Sequence, residues 1–362
     1  MNNNIYVNGK FLTQKVTGVQ RVAINISIQL KEYYGDRLII LTPKNSLNDL
    51  DMLKTFNIIE IGIFKSNLWE QIDLSYYLKN NKAQILLNFC NSQPIFFRSK
   101  NIILIHDASF TKKTKWFNWK FKLWNVFICN LSLHKNLSIF TVSNFSKNEI
   151  CSYFPKIKPS NVIVSYLASF IEDNKLFEEE IDKNLFFLSV ASYEPRKNLN
   201  LIIKSFLYIC ENNNNIQLYL VGRKNKVFEN MDLISNNPNI HFLDQVSDLE
   251  LAKLFQNTIA FISASLYEGF GLPILEALSQ GTTCIVSDIE VYKEIYKNNV
   301  YYFESNDAIS LSKKMEDVIH HHKQYDSQKV NNINFAKSFS WKETSRLYYE
   351  KIEELLNHKS QK

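Results

Sequence analysis

"AFISASLYEGFGLPILEALSQGTTCIVSD", residues 260–288, decides the fold. An apolar run (260–265) ends in a loop with two glycines and a proline, a helical stretch follows (272–281), and a second apolar run (283–288) closes the segment. Strand, loop, helix and strand make one βαβ unit. Its strands lack polar alternation, as parallel strands covered on both faces do. Gly269 and Gly271 let the backbone approach a ligand or take positive φ, and Pro273 suits the first turn of a helix. The amides at such a helix start form an anion site. Glu268 stands before the helix and Glu276 one turn inside it. A carboxylate accepts two hydroxyls of a sugar or ribose, so the stretch offers N–H groups to a phosphate and two acids to a sugar.

The same rhythm runs outward. Before it come apolar runs at 186–192, 216–222 and 240–246, with helical patterns at 200–211 and 249–257. The first half repeats it, with strands expected at 38–42, 58–62, 84–89, 101–107 and 139–143. After Gly18, the residues Val19, Val22, Ala23, Ile26 and Leu30 share one helical face. Repeated βα units predict an α/β protein with a doubly wound sheet in each half. Strand patterning breaks near 168–184, where an acidic run marks the seam, and a long helix is expected at 340–358. With 362 residues, 45% hydrophobic and 22% charged, two domains are the natural expectation.

The net charge of +6 is spread along the chain, which argues against a nucleic-acid partner. Five unpaired-looking cysteines in apolar surroundings read as reduced residues of a cytosolic protein. The N-terminus lacks a signal-peptide layout, and no apolar run reaches the ~18 residues of a membrane span. A soluble or peripheral protein is expected.

Three other loops carry chemistry. "SVASYEPRKNLNLI" (189–202) follows a strand and opens a helix, with Arg196 and Lys197 placed to meet a diphosphate. "KVTGVQRVAINI" (15–26) sets Gly18 at a helix start, where it serves a phosphate, an acceptor or a plain cap. "LIHDASF" (104–110) puts His106 after a buried strand, where it can bond a sugar hydroxyl or shield developing positive charge. Asp49-Leu-Asp51 spells the Asp-x-Asp of metal-dependent sugar transferases, but it lacks a preceding strand end. His320, His321 and His322 face different directions on a helix, so a solvated face is expected rather than a metal site. The stretch 110–127 mixes five lysines with Trp116, Trp119 and Trp124, and reads equally as a membrane-surface helix or a core helix with lysines outward.

Together these segments resemble family 4 of the glycosyltransferases, the retaining, nucleotide-sugar-dependent group with the GT-B fold. "TGVQRVA", "IHD", "FTVSNFSKNEI", "EPRKNL", "LVGRK", "YEGFGLPILEA" and "GTTCIVSD" occur in family order over nearly the whole chain. The Glu-x7-Glu spacing of Glu268 and Glu276 is the most specific. The resemblance implies two Rossmann-like doubly wound domains facing a cleft. An acceptor-binding domain would span 1–170, a linker 171–184, a nucleotide-sugar-binding domain 185–339, and a C-terminal helix at 340–362 would cross back to the first domain.

By the same resemblance Glu268 and the amides of Gly269, Phe270, Gly271 and Leu272 hold the donor sugar, and Glu276 binds the ribose. Lys197 neutralises the diphosphate, Gly18 matches the N-terminal loop, and His106 is the cleft histidine. Many members carry an arginine a few positions before the lysine; here that position is Ser192, and Arg196 is the expected substitute. The family's proline before Ser265 is Ala264 here. The implied activity is metal-independent, retaining transfer of a hexosyl unit from a nucleotide-diphosphate sugar to a glycan or lipid-linked glycan, as in O-antigen or capsule synthesis. No cofactor is expected beyond the donor substrate, and the implied site is the cytoplasm or the inner membrane face. The alternatives are a sugar-nucleotide epimerase on the same fold, or a non-catalytic nucleotide-sugar-binding scaffold.

Overall fold

The computed structural model describes residues 4–47, 54–112, 137–171, 185–190, 194–211, 215–222, 237–244 and 246–357, and residues 116, 123, 126, 127 and 129–131 besides. Contacts divide the chain into two compact units, 1–167 with 340–362, and 168–339.

The first unit holds a seven-stranded sheet of β1 (Ile5–Asn8), β2 (Leu38–Pro43), β3 (Asn57–Ile61), β4 (Ile85–Asn88), β5 (Lys100–Leu104), β6 (Leu137–Thr141) and β7 (Val162–Val164). Its order is β3-β2-β1-β4-β5-β6-β7, and every paired neighbour is parallel. The helices are α1 (Gly18–Tyr34), α2 (Ser66–Gln71), α3 (Asp73–Asn80) and α4 (Asn144–Tyr153). On α1 the expected stripe faces inward: Val22, Ala23, Ile26 and Leu30 are fully buried.

The second unit holds a six-stranded parallel sheet of β8 (Leu185–Val190), β9 (Ile216–Val221), β10 (Ile240–Leu243), β11 (Ala260–Ser263), β12 (Cys284–Ser287) and β13 (Tyr301–Phe303), in the order β10-β9-β8-β11-β12-β13. Around it run α5 (Leu199–Cys210), α6 (Asp248–Asn257), α7 (Leu272–Ser279), α8 (Glu290–Tyr296), α9 (Ala308–Asp326) and α10 (Lys329–Lys337). Ser247 caps α6, with its hydroxyl taking the Glu250 amide at 3.2 Å and the Glu250 carboxylate bonding the Ser247 amide at 2.7 Å. The core here joins Phe187, Ile202, Phe206, Leu218, Ile262 and Leu311.

Three strands escaped the sequence reading: β1, β7 and β13. β7 and β13 have only three residues, and β1, with four, lies between polar residues that cut its apolar run short. Yet β1 is central, paired on both sides by β2 and β4. The last helix, α11 (Trp341–Asn357), belongs to the first unit. Its Tyr348 stacks on Phe140 at 3.9 Å and meets Phe89 edge-on at 5.7 Å. Thr344 Oγ1 donates to the Tyr166 carbonyl at 2.6 Å, and Tyr34 Oη donates to Glu353 at 3.0 Å.

In both sheets the strand order reverses beside the first strand, between β1 and β4 and between β8 and β11. Ligands of open α/β sheets bind outside the carboxyl ends of the strands at such a reversal.

Candidate active site

Two loops leave the carboxyl ends of β8 and β11 in the second unit. The first forms a tight turn over Pro195–Lys197, and Asn198, left-handed at φ 53°, redirects the chain into α5. The second runs from Ser263 to Gly271. The Leu266 amide donates to the Arg196 carbonyl at 2.8 Å and ties the loops together.

Glu268 is the hub. Lys197 Nζ lies 2.5 Å from its Oε1, Arg196 Nη1 2.9 Å from its Oε2, and Ser265 Oγ donates to Oε1 at 2.9 Å. Arg196 also meets Glu194 through Nε at 2.6 Å and the Tyr267 carbonyl at 3.3 Å. The Glu268 carboxylate is buried, which alone would raise its pKa. The Arg196 and Lys197 charges and the hydrogen bonds of Lys197 and Ser265 outweigh that and hold it at about 2. Glu268 is therefore a fixed anion at neutral pH, an acceptor and electrostatic partner rather than a proton donor.

Past Glu268 the chain turns sharply. Gly271 has φ 93°, and a Cβ there would lie 2.6 Å from Tyr292 Cε1. Tyr296 Oη donates to the Gly271 carbonyl at 2.8 Å. Phe270 contributes only backbone to the loop, because its ring is buried edge-on to Tyr296 and Phe339. Leu272 begins α7 and Pro273, which has no N–H, sits in its first turn, while the Ile274 amide turns back to the Gly271 carbonyl at 2.9 Å. Glu276 is buried on α7 with only 5% of its surface exposed, which rules out an ordinary solvated glutamate. Burial drives the Tyr296 hydroxyl far above its usual pKa, and Tyr292, Cys284, Glu268 and Glu276 add to the effect, so both carboxylates are felt at one phenol. Ser189, Lys197, Ser265, Glu268, Gly271 and Tyr292 line a small cavity at this bend.

In the first unit His106 follows β5. Its Nε2 lies 2.9 Å from the Phe89 carbonyl, and its amide donates to Asn91 Oδ1 at 2.8 Å. A carbonyl can only accept, so Nε2 carries the proton and Nδ1 keeps its lone pair. Burial lowers the pKa of the ring, which is neutral at pH 7. Gly18 opens α1 behind the Thr17 cap, whose amide donates to the Gln20 side chain at 3.1 Å. A Cβ on Gly18 would meet nothing within 4 Å among the described residues, whose packing does not require this glycine.

The sequence reading missed several polar groups. Beside the β1–β4 reversal, Lys10 Nζ is buried against Glu70 at 2.8 Å, Ser92 at 2.9 Å and Asn67 at 3.2 Å. Asn8 Nδ2 donates to Glu70 at 2.7 Å and to Asn88 at 3.1 Å. This network braces the chain that carries Phe89 and Asn91, the two partners of His106. In the second unit Ser265, Tyr292 and Tyr296 were also missed. Ser265, three residues before Glu268, was readable as a short-range partner, whereas nothing in the spacing announces two tyrosines from α8.

Several sequence expectations lie outside the described residues: Asp49 and Asp51, Ser192, and most of 110–127 and of 171–184. His320 and His321 are both exposed, and His321 pairs with Asp317 at 3.1 Å.

The second-unit loops thus combine a fixed carboxylate, two cations bonded to it, and a helix start with a second inward carboxylate. That set suits a ligand with both phosphates and hydroxyls. Residues 171–335 match the family model of glycosyl transferases group 1. The chain is 29% identical over 166 residues to the serotype-specific mannosyltransferase WbdA of Escherichia coli, a match covering 44% of the chain and 20% of that relative. It is 25% identical over 252 residues to the O-antigen chain mannosyltransferase RfbU of Salmonella typhimurium, covering 67% of the chain and 69% of the relative. Among solved structures, WaaG, a glycosyltransferase involved in lipopolysaccharide biosynthesis, superposes with a TM-score of 0.75 at 13% identity over 96% of this chain and 99% of that one. Anabaena Alr3699/HepE, solved with UDP and glucose, gives 0.76 at 14% identity over 97% and 99%. The fold is GT-B, with two Rossmann-like α/β units. The family match, residues 171–335, falls within the second unit, which holds the Glu268 cluster.

Proposed function

We propose that this protein transfers a hexosyl unit from a nucleoside-diphosphate sugar to a glycan or lipid-linked glycan, with retention of configuration and without a metal, in the synthesis of a bacterial surface polysaccharide. The observation that carries the proposal is the Glu268 cluster, with its carboxylate held by Arg196, Lys197 and Ser265 beside the start of α7. The mannosyltransferase relatives WbdA and RfbU support a hexosyl donor, and UDP in the Alr3699/HepE structure supports a nucleotide.

In this proposal the α7 amides and Lys197 carry the charge of the departing diphosphate. Lys197 Nζ has three hydrogens and gives one to Glu268, which leaves capacity for phosphate oxygens. Glu268 accepts sugar hydroxyls and, being ionised, favours positive charge developing at the sugar. Glu276 takes the ribose hydroxyls. His106, neutral with Nδ1 as an acceptor, receives a sugar hydroxyl. The acceptor hydroxyl attacks the anomeric carbon on the face the diphosphate leaves, the glycosidic C–O bond to phosphate breaks, and a departing phosphate oxygen takes the hydroxyl proton. Work on a lipid-linked acceptor would set the enzyme on the cytoplasmic membrane face, with the lysine–tryptophan stretch 110–127 as one contact.

The test is thermal unfolding with uridine and guanosine diphosphates and their glucose and mannose conjugates, in EDTA. A ligand at ~100 times its dissociation constant adds ~2.7 kcal/mol. A shift with one base, and transfer lost in Glu268→Gln, is the expected result. No shift with any nucleotide overturns the transferase assignment, and a shift without transfer to any acceptor moves it to a binding scaffold.

A further inference from the structure

We propose that the outer face of α2 and α3, with the loop before them and Phe96, docks on the surface of an anionic lipid bilayer. Six large apolar side chains are held in water here: Ile63 is 84% exposed, Phe96 76%, Tyr76 69%, Leu68 59%, Ile72 47% and Phe64 38%. They form a pattern. The Ile72 amide donates to the Leu68 carbonyl and the Tyr76 amide to the Ile72 carbonyl, each at 2.9 Å, so helical pitch continues across the α2–α3 junction. Leu68, Ile72 and Tyr76 therefore stack along one stripe, while Trp69, Leu74 and Leu78 are fully buried on the other side.

The loop before α2 is built to hold its apolar residues outward. The Asp73 carboxylate accepts the Ile63 amide at 2.9 Å and the Phe64 amide at 2.8 Å. Gly62, at φ 77°, lies so close to Asp73 that a Cβ would come within 2.1 Å of it. A collapsed loop would bury Ile63; this clasp prevents that.

Charge identifies the occupant. Segment 62–84 has two acids, Glu70 and Asp73. Glu70 is buried against Lys10, and Asp73 is taken up by the clasp. The exposed charges of 62–84 and 94–99 are Lys65, Lys79, Lys82 and Arg98, all positive. Tyr76, Lys79, Lys82, Phe96 and Arg98 line one concavity. Glu60, exposed just before this segment, is bonded to the Asn45 amide at 2.7 Å. Apolar side chains interspersed with positive charge match a bilayer with anionic headgroups. A second copy of the same face would be repelled.

The test is co-sedimentation of the full chain with vesicles, either phosphatidylcholine alone or an equal mixture with phosphatidylglycerol. It needs no nucleotide sugar, so its failure leaves the transferase proposal standing. Binding is expected to the mixed vesicles only, and to weaken at about 0.5 M salt. Each lysine near such a surface is worth about fivefold, so Lys65→Ala, Lys79→Ala and Lys82→Ala together should weaken binding about a hundredfold. Ile63→Ser, Tyr76→Ser and Phe96→Ser together should weaken it at least about tenfold. All six positions are exposed, and circular dichroism melts verify the fold of both variants. The proposal is overturned if the chain ignores mixed vesicles, or if both variants bind like the parent. It is also overturned if the parent self-associates in sedimentation equilibrium and the serine variant does not, which would make a second copy the occupant.

Discussion

Glu268 is ionised because two cations surround it, and this has a consequence for pH. Its folded pKa of about 2 lies below the ordinary 4.5. A depressed carboxylate contributes stability that is present above the ordinary value and lost as pH falls through the folded one. Glu268→Gln should therefore flatten the fall of melting temperature between about pH 4.5 and pH 2. At pH 7 it should destabilise by about 3 kcal/mol, because Arg196 and Lys197 lose their buried partner. Melting curves of both proteins across that range decide the matter. His106 runs the other way in charge: its folded pKa lies below 6.5, so folding favours the neutral ring, and that contribution fades as pH falls below 6.5. Nitrogen NMR of the imidazole should show the Nε2–H tautomer at pH 7. A ring that titrates at or above its ordinary value would refute the assignment. The sequence marked both residues as candidates. It could not show a charge state, because that depends on Phe89, Arg196 and Lys197 arriving from elsewhere in the chain.

At the scale of elements, α7 and α11 make contrasting cases. The start of α7 was legible from Gly271 and Pro273. What holds it was not, since Tyr292 and Tyr296 reach it from α8. Gly271→Ala should cost about 2–4 kcal/mol, through the left-handed φ and the clash with the Tyr292 ring. Urea denaturation measures this. For α11, the Tyr348 hydroxyl is buried without a hydrogen-bond partner among the described residues while its ring is stacked on Phe140. Tyr348→Phe should leave stability unchanged or raise it by up to about 1 kcal/mol, whereas Tyr348→Ala should lower it by about 3–5 kcal/mol. The same denaturation experiment separates the two. The sequence led to a long helix over 340–358, but the face that α11 covers was decided by Phe89 and Phe140, which lie on or beside strands far away in the chain.

The units of the whole molecule are not simple halves of the chain. Because 340–362 completes the first unit, a fragment ending at Leu167 lacks Tyr348, and with it the cover over Phe140 and Phe89. It also loses Tyr349, stacked on Tyr33 at 4.4 Å. Such a fragment should bind a hydrophobic dye and melt without a cooperative transition. A fragment of 168–339 keeps its own sheet and core and should unfold cooperatively. Calorimetry of the two fragments tests this difference. The alternation of strands and helices revealed two doubly wound sheets, but β1, in the middle of the first, was invisible because four residues between polar neighbours carry no period.

What the sequence determined by itself was local: parallel strands written as apolar runs, helix faces written as spacing, and loops with glycines, acids and cations at the carboxyl ends of strands. These follow from backbone geometry and from side chains a few positions apart. Tertiary structure alone decided the pairing of Lys197 with Glu268 across 71 positions and of Lys10 with Glu70 across 60. It also decided the neutrality of His106 and the outward clasp of Ile63. Each depends on burial and electric field, which sum over neighbours brought together from distant parts of the chain, and no local pattern encodes that sum.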